Sequence, residues 1–106
     1  MNNKLKKLLE YLKQELSGLY QKNLVSIILY GSQARSDSVH GSDIDILIVL
    51  NNEIKPIEEI RKVNNILSDI SLKFNQMVSC VFMSQKRFDS EKSPLILNIK
   101  KEGILL

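Results

Sequence analysis

The fold is decided by one stretch: Leu24-Val25-Ser26-Ile27-Ile28-Leu29-Tyr30, a polar connection from Gly31 to Ser42, and then Asp43-Ile44-Asp45-Ile46-Leu47-Ile48-Val49-Leu50. Both apolar runs have strand length, and Ile46 to Leu50 is apolar at every position, as in a strand buried on both faces. The connection is too short for the helical crossover of a parallel pair, so the two strands should run antiparallel. Side chains alternate along a strand, so Asp43 and Asp45 share a face and their charges repel. Such a pair in a low-dielectric place calls for a counter-charge, whether protons, Arg or Lys, or a divalent cation. Mg²⁺ commonly takes one or two carboxylates and completes its shell with water and substrate phosphates, so the pair reads as half of a metal site.

The connection supplies the other half. Gly31 and Ser32 follow the first strand directly, and Ser32-Gln33-Ala34-Arg35-Ser36 can form a helical turn with Ser32 as its cap. Glycine lets a ligand approach the backbone, and the free N–H groups of a helix start attract phosphate. The Ser32 hydroxyl and the Arg35 guanidinium add donors suited to the same anion.

Gly31-Ser32, ten intervening residues and Asp43-Ile44-Asp45 resemble the G-S-x10-D-x-D signature of the polymerase-β-like nucleotidyltransferases. The wider wording, Gly-Ser-Gln-Ala-Arg and Ser-Asp-Ile-Asp-Ile-Leu-Ile-Val, is similar to their minimal prokaryotic branch, the minimal nucleotidyltransferases (MNT). Ser36 departs from the pattern, standing where Gly often follows the Arg. The resemblance implies a two-metal transfer in which Asp43 and Asp45 are catalytic and hold Mg²⁺. Gly31, Ser32, Arg35 and Ser42 would then bind the nucleotide's phosphates. Two metals can stabilise the entering and leaving oxygens of an in-line displacement together. Minimal members often pair, as antitoxins, with a helical HEPN toxin. The resemblance therefore implies ATP as substrate and AMP transfer to a hydroxyl of a protein partner.

The remaining chain fits one small domain, residues 1–106, of α/β (α+β) class: a mixed sheet of three to four strands with helices packed on it. Hydrophobic content of 43% and charged content of 25% are ordinary for a globular chain, and a net charge of +3 is too mild to indicate nucleic acid. A single cysteine, Cys80, excludes an internal disulfide framework, and its apolar surroundings make a buried thiol the default. The amphipathic start contains neither a signal peptide nor a membrane span, so a cytoplasmic location is expected. His40 has no second His or Cys nearby and is not expected to bind metal.

Leu5, Leu8, Leu9, Leu12, Leu16 and Leu19 follow one helical face, with Asn3 as the expected cap and Gly18 near the end. A second helix should start at Pro56, with Ile60, Val63, Leu67, Ile70 and Phe74 buried and Glu58-Glu59 near its positive end. It can return the chain for a third strand, Met77 to Met83, parallel to the second. Ser93-Pro94 opens a last helix with Leu95, Ile96 and Ile99 as its apolar face and Gly103 at its end. Ile104-Leu105-Leu106 can add an edge strand, dock on a partner or cover the core. Lys86, Arg87, Lys92 and Lys100 can line an acceptor side, although a solvated surface is the simpler reading.

One position departs from the implied chemistry. Family members with full activity generally carry a third carboxylate on the third strand, facing the Asp pair, and alignment puts Ser79 there. Serine neither holds a metal as an anion does nor serves as a base near neutral pH. Asp37 or Asp89 can substitute, the acceptor can do without a strong base, or the domain binds nucleotide or partner without efficient turnover. Transfer to a small molecule or an RNA end is a further alternative, although the chain has little room for acceptor-binding elements. A homo- or hetero-oligomer is compatible with any of these.

Overall fold

The computed structural model describes residues 2–35 and 42–106. Its elements are α1 (Asn3–Tyr20), a 3₁₀ turn (Gln21–Asn23), β1 (Leu24–Tyr30), α2 (Ser32–Arg35), β2 (Ile44–Leu50) and α3 (Pro56–Phe74), followed by β3 (Val78–Ser84), α4 (Gln85–Ser90), α5 (Pro94–Glu102) and β4 (Ile104–Leu105). The strands form one mixed sheet in the order β3-β2-β1-β4. β1 runs antiparallel to β2 and to β4, while β3, reached through α3, runs parallel to β2. These pairings follow from chain length: a short connection permits only the antiparallel neighbour, whereas the 19-residue α3 spans the return for a parallel one.

Strand alternation sorts the core into two layers. Ile44, Ile46, Ile48 and Leu50 pack with Leu5, Leu8, Leu12 and Leu16 of α1 and with Val63 and Ile70 of α3. Leu47 and Val49, pointing the other way, pack with Ile28, Met83 and the α5 residues Ile96 and Ile99. β2 is thus central and apolar on both faces, as its unbroken hydrophobic run requires. Ile104-Leu105 takes the edge-strand role.

Local chemistry moves several boundaries. Asn2, not Asn3, caps α1: its Oδ1 accepts from Leu5 N–H at 2.7 Å, and Gly18 lies within the helix, which ends at Tyr20. The last turn therefore buries Tyr20 and leaves Leu19 exposed. In α3, Ile60 is exposed and Glu59 buried. The glutamate is tolerated because Tyr20 Oη donates to its Oε1 at 3.2 Å and Lys55 N–H to its Oε2 at 3.3 Å. Lys62 Nζ adds an ion pair at 3.5 Å, so a buried charge arrives with partners. α4 has no apolar periodicity to announce it; the Ser84 hydroxyl caps it by accepting from Arg87 N–H at 3.2 Å. Ser93 and Pro94 open α5, and Gly103 N–H closes it on the Ile99 carbonyl at 2.8 Å.

Candidate functional site

β2 begins at Ile44, so Asp43 stands just ahead of the strand and Asp45 within it. Asp43 is exposed and Asp45 half-buried. Asp45 shares its face with Leu47 and Val49, the face covered further along by α5. Tyr30 is its register partner in β1 and Ser79 its partner in β3. Burial, and then the charge of Asp43, pushes the Asp45 carboxyl above its ordinary range. Burial, followed by the charge of Asp45, likewise pushes up the Tyr30 hydroxyl.

The corner at Gly31 meets this carboxylate directly. Gly31 has φ +76°, and a Cβ built there would stand 2.5 Å from Asp45 Oδ2. Glycine is therefore required twice, once for the left-handed backbone and once for the space that the aspartate fills. The Gly31 carbonyl accepts from Ala34 N–H at 3.1 Å and Arg35 N–H at 3.2 Å. Gly31 thus opens the turn, and Ser32, expected as the cap, is its first residue.

Ser42 closes the connection from its other end. Its carbonyl accepts from the side-chain amides of Gln33, at 3.3 Å, and Gln76. Ile44 N–H donates to the Met77 carbonyl at 3.0 Å. One end of β2 is thereby fixed between α2 and the approach to β3, with Asp43 held at the junction. Gln33 stands in the quoted Gly-Ser-Gln-Ala-Arg wording without a part assigned to it, and Gln76 carries no sequence signal, because the two meet only after α3 has returned the chain.

Arg35 pairs with Glu102 of α5 at 3.8 Å, with both side chains about half-exposed. The two line a cleft of about 190 Å³ with Tyr30, Gly31, Leu95 and Asn98. Gly31, Ser32, Arg35, Ser42, Asp43 and Asp45 thus lie around one end of the β1–β2 pair.

β3 carries Ser79 and no acid, as the alignment puts it. Ser79 is exposed and in register with Asp45, the location a facing side chain needs. Asp89 is directed elsewhere, its Oδ1 accepting from Gln85 Nε2 at 2.6 Å within α4. Among the described residues no group of three or more His, Cys, Asp and Glu converges. Ser36, Asp37 and His40 lie outside the described residues. Of the basic residues after β3, Arg87 pairs with Glu91 at 2.8 Å, and Lys100 Nζ sits 4.9 Å from the Phe88 ring centroid. Cys80 packs against the α1/α3 layer, and burial pushes its thiol up to about 12. Among the described residues no helix is long and apolar enough to cross a membrane.

Comparison with known proteins places this geometry. The family model described as polymerase beta, nucleotidyltransferase matches residues 6–106. A Methanocaldococcus jannaschii protein, MJ0141, named as a candidate protein adenylyltransferase, is 36% identical over 67 residues, 63% of this chain and 67% of that one. The match to a second such protein of that organism, MJ1305, is 39% identical over 70% of this chain but covers only 46% of the relative. Among solved structures, a toxin–antitoxin with AMP-PNP superposes with TM-score 0.63 at 19% identity, covering 98% of this chain and 72% of that one. A tri-AMPylated Shewanella oneidensis HEPN toxin in complex with MNT antitoxin gives TM-score 0.54 at 17% identity, covering 96% and 67% of the two chains. At these identities the superpositions speak for the fold.

Proposed function

Because the chain belongs to the polymerase β nucleotidyltransferase family, we propose that it transfers AMP from ATP to a hydroxyl of a protein partner, as a cytoplasmic MNT-type antitoxin of a HEPN toxin. Residues 1–106 would work as a single minimal domain. The observation that carries this reading is the meeting of Gly31 with Asp45, where the absent Cβ leaves the carboxylate its place beside the corner. The relatives named for protein adenylylation support the protein acceptor, and the toxin–antitoxin structures support the partner.

The donor set fits Mg²⁺. Two carboxylates two residues apart, one exposed and the other raised by burial and by its neighbour, offer hard oxygen donors and a negative charge in want of compensation. Asp43 and Asp45 would hold the metal, which when bound supplies charge neutralisation for the transferring phosphoryl group. Gly31 and Ser32 would hold the triphosphate through backbone and hydroxyl donors, with Arg35 and Ser42 beside them. Their contribution is to position the α-phosphorus and stabilise the charge on the leaving pyrophosphate, which accounts for most of catalysis in this chemistry.

The test is direct. ATP titrated into the protein should bind measurably with Mg²⁺ and weakly without it, and Asp43→Asn should remove the difference. Labelled ATP, Mg²⁺ and a HEPN partner together should label the partner. Equal behaviour of wild type, Asp43→Ala and Asp45→Ala in both assays would refute the proposal.

The exposed Ser79 favours a second reading, a nucleotide- and partner-binding module of low turnover. In that case an Asp43→Ala, Asp45→Ala double variant still neutralises its partner.

A further inference from the structure

Asp45 lies between two strands that treat it differently. On the β1 side Gly31 abuts its carboxylate. On the β3 side its register partner is the exposed Ser79, and the next residue on that face, Val81, is 40% exposed. Among the described residues β3 is the last strand on that flank of the sheet, and the exposure of Ser79 and Val81 leaves the face beside Asp45 open there. A serine offers a donor and an acceptor but no anion, and near neutral pH it does not take the proton of an attacking hydroxyl. Of the acids that follow β3, Asp89 is engaged by Gln85, Glu91 by Arg87 and the Ser93 hydroxyl, and Glu102 by Arg35.

We propose that the acceptor completes this site, placing a carboxylate of its own against Ser79 next to the hydroxyl that it offers. This deepens the nucleotidyl-transfer reading and rests on it. The small neutral side chain of Ser79 leaves volume for an incoming acid and adds no charge of its own to that of Asp43 and Asp45. A carboxylate suits the place better than an imidazole, because the adjacent pair is built for a hard cation that prefers oxygen. In the step itself, the acceptor's hydroxyl oxygen bonds to the α-phosphorus and the bond from that phosphorus to the bridging oxygen breaks. Pyrophosphate leaves with the electron pair, and the hydroxyl proton passes to the acceptor's own carboxylate.

The test pairs peptides carrying Ser, Thr or Tyr with either Glu or Gln two residues away, presented with Mg²⁺ and ATP to wild type, Ser79→Asp and Ser79→Asn. Wild type should transfer to a Glu peptide at least about 100-fold faster than to its Gln counterpart, the lower end of general-base effects. Ser79→Asp should erase that preference by supplying the base itself, and Ser79→Asn should keep it. Independently of turnover, the Glu peptides should shift the amide resonances of Ser79 and Val81. Equal rates with Glu and Gln in wild type, or a preference that survives Ser79→Asp, overturns the proposal. So does loss of wild-type transfer in Asp37→Asn or His40→Gln with ATP binding retained, which would locate the base within this chain. Absence of transfer to every peptide while Mg²⁺-dependent ATP binding persists also overturns it, whereas absence of that binding refutes the nucleotidyl-transfer reading beneath it.

Discussion

The two faces of the sheet are finished to different degrees. On one, α1 and α3 seal Ile44, Ile46, Ile48 and Leu50, all at 0–1% exposure. On the other, α5 packs with Leu47 and Val49, while Asp45 is only half-buried and Ser79 lies in the open. The same strand β2 therefore serves as pure core on one side and as core grading into a polar rim on the other. The sealed face provides stability. The half-covered face sacrifices some burial, and it is there that the acids, the glycine corner and the cleft beside Arg35 come together.

This contrast is sharpest in the response to truncation. Leu12→Ala, on the sealed side at 0% exposure, should destabilise by about 2–5 kcal/mol in denaturant titration, the range for buried leucines that leave a cavity. Folded variant at low denaturant should still bind Mg²⁺ and ATP as wild type does. Gly31→Ala works the other way. The positive φ alone should cost more than about 1 kcal/mol, and the new methyl must displace the Asp45 carboxylate. Stability should fall less than for Leu12→Ala, yet Mg²⁺-dependent ATP affinity should be lost, as calorimetry would show. If Gly31→Ala binds normally, the corner and the acid do not function together.

The sealed face was the more legible in sequence. The leucine stripe of α1 and the unbroken run of β2 specify burial through periodicity alone, while the β1–β2 and β2–β3 pairings followed from the lengths of the connections. The errors there were local. Ile60 and Glu59 exchange places because Tyr20, Lys55 and Lys62 satisfy the glutamate, a tertiary arrangement that no helical period contains. On the open face, where the fold sets Gly31 against Asp45, the motif singled out Gly31, Asp43 and Asp45 together by type and spacing. It could not reveal Gln76 reaching the Ser42 carbonyl across 34 residues, or α5 bringing Glu102 to Arg35. Gln76 follows the left-handed Asn75 that ends α3, and Glu102 is the last residue of α5, so both contacts depend on where those two helix ends lie in the fold.

The buried glutamate offers a smaller perturbation of the sealed side. Tyr20→Phe removes one hydrogen bond to Glu59 while keeping the ring against Phe82. Lys55 N–H and Lys62 remain as partners, so the cost should be about 1 kcal/mol rather than that of a stranded charge. Glu59→Gln tests the same network, and in a double-mutant cycle with Tyr20→Phe the two effects should not add. Neither should alter ATP binding, because both residues lie on the sealed side, among or beside the residues that pack against α1 and α3.

The smallest effect on stability, and the most specific, belongs to Asp45→Asn. The fold holds the Asp45 carboxyl above its ordinary range, through burial first and Asp43 second. Below the ordinary carboxylate range the folded and unfolded chains both keep the proton, and the acid costs nothing. As pH rises through that range the unfolded chain releases its proton first, so the folded state loses stability until its own raised value is passed. Asparagine carries no charge to desolvate. Asp45→Asn should therefore match wild type at low pH and be slightly more stable at pH 7, by no more than about 0.5 kcal/mol, as for other incompletely buried positions. Mg²⁺ with ATP should raise the melting temperature of wild type by relieving the same repulsion, and should leave that of Asp45→Asn unmoved. A variant less stable than wild type at pH 7 would mean that the Asp45 carboxylate is favoured by the fold, and the open face would then lack the charge imbalance that equips it for a cation.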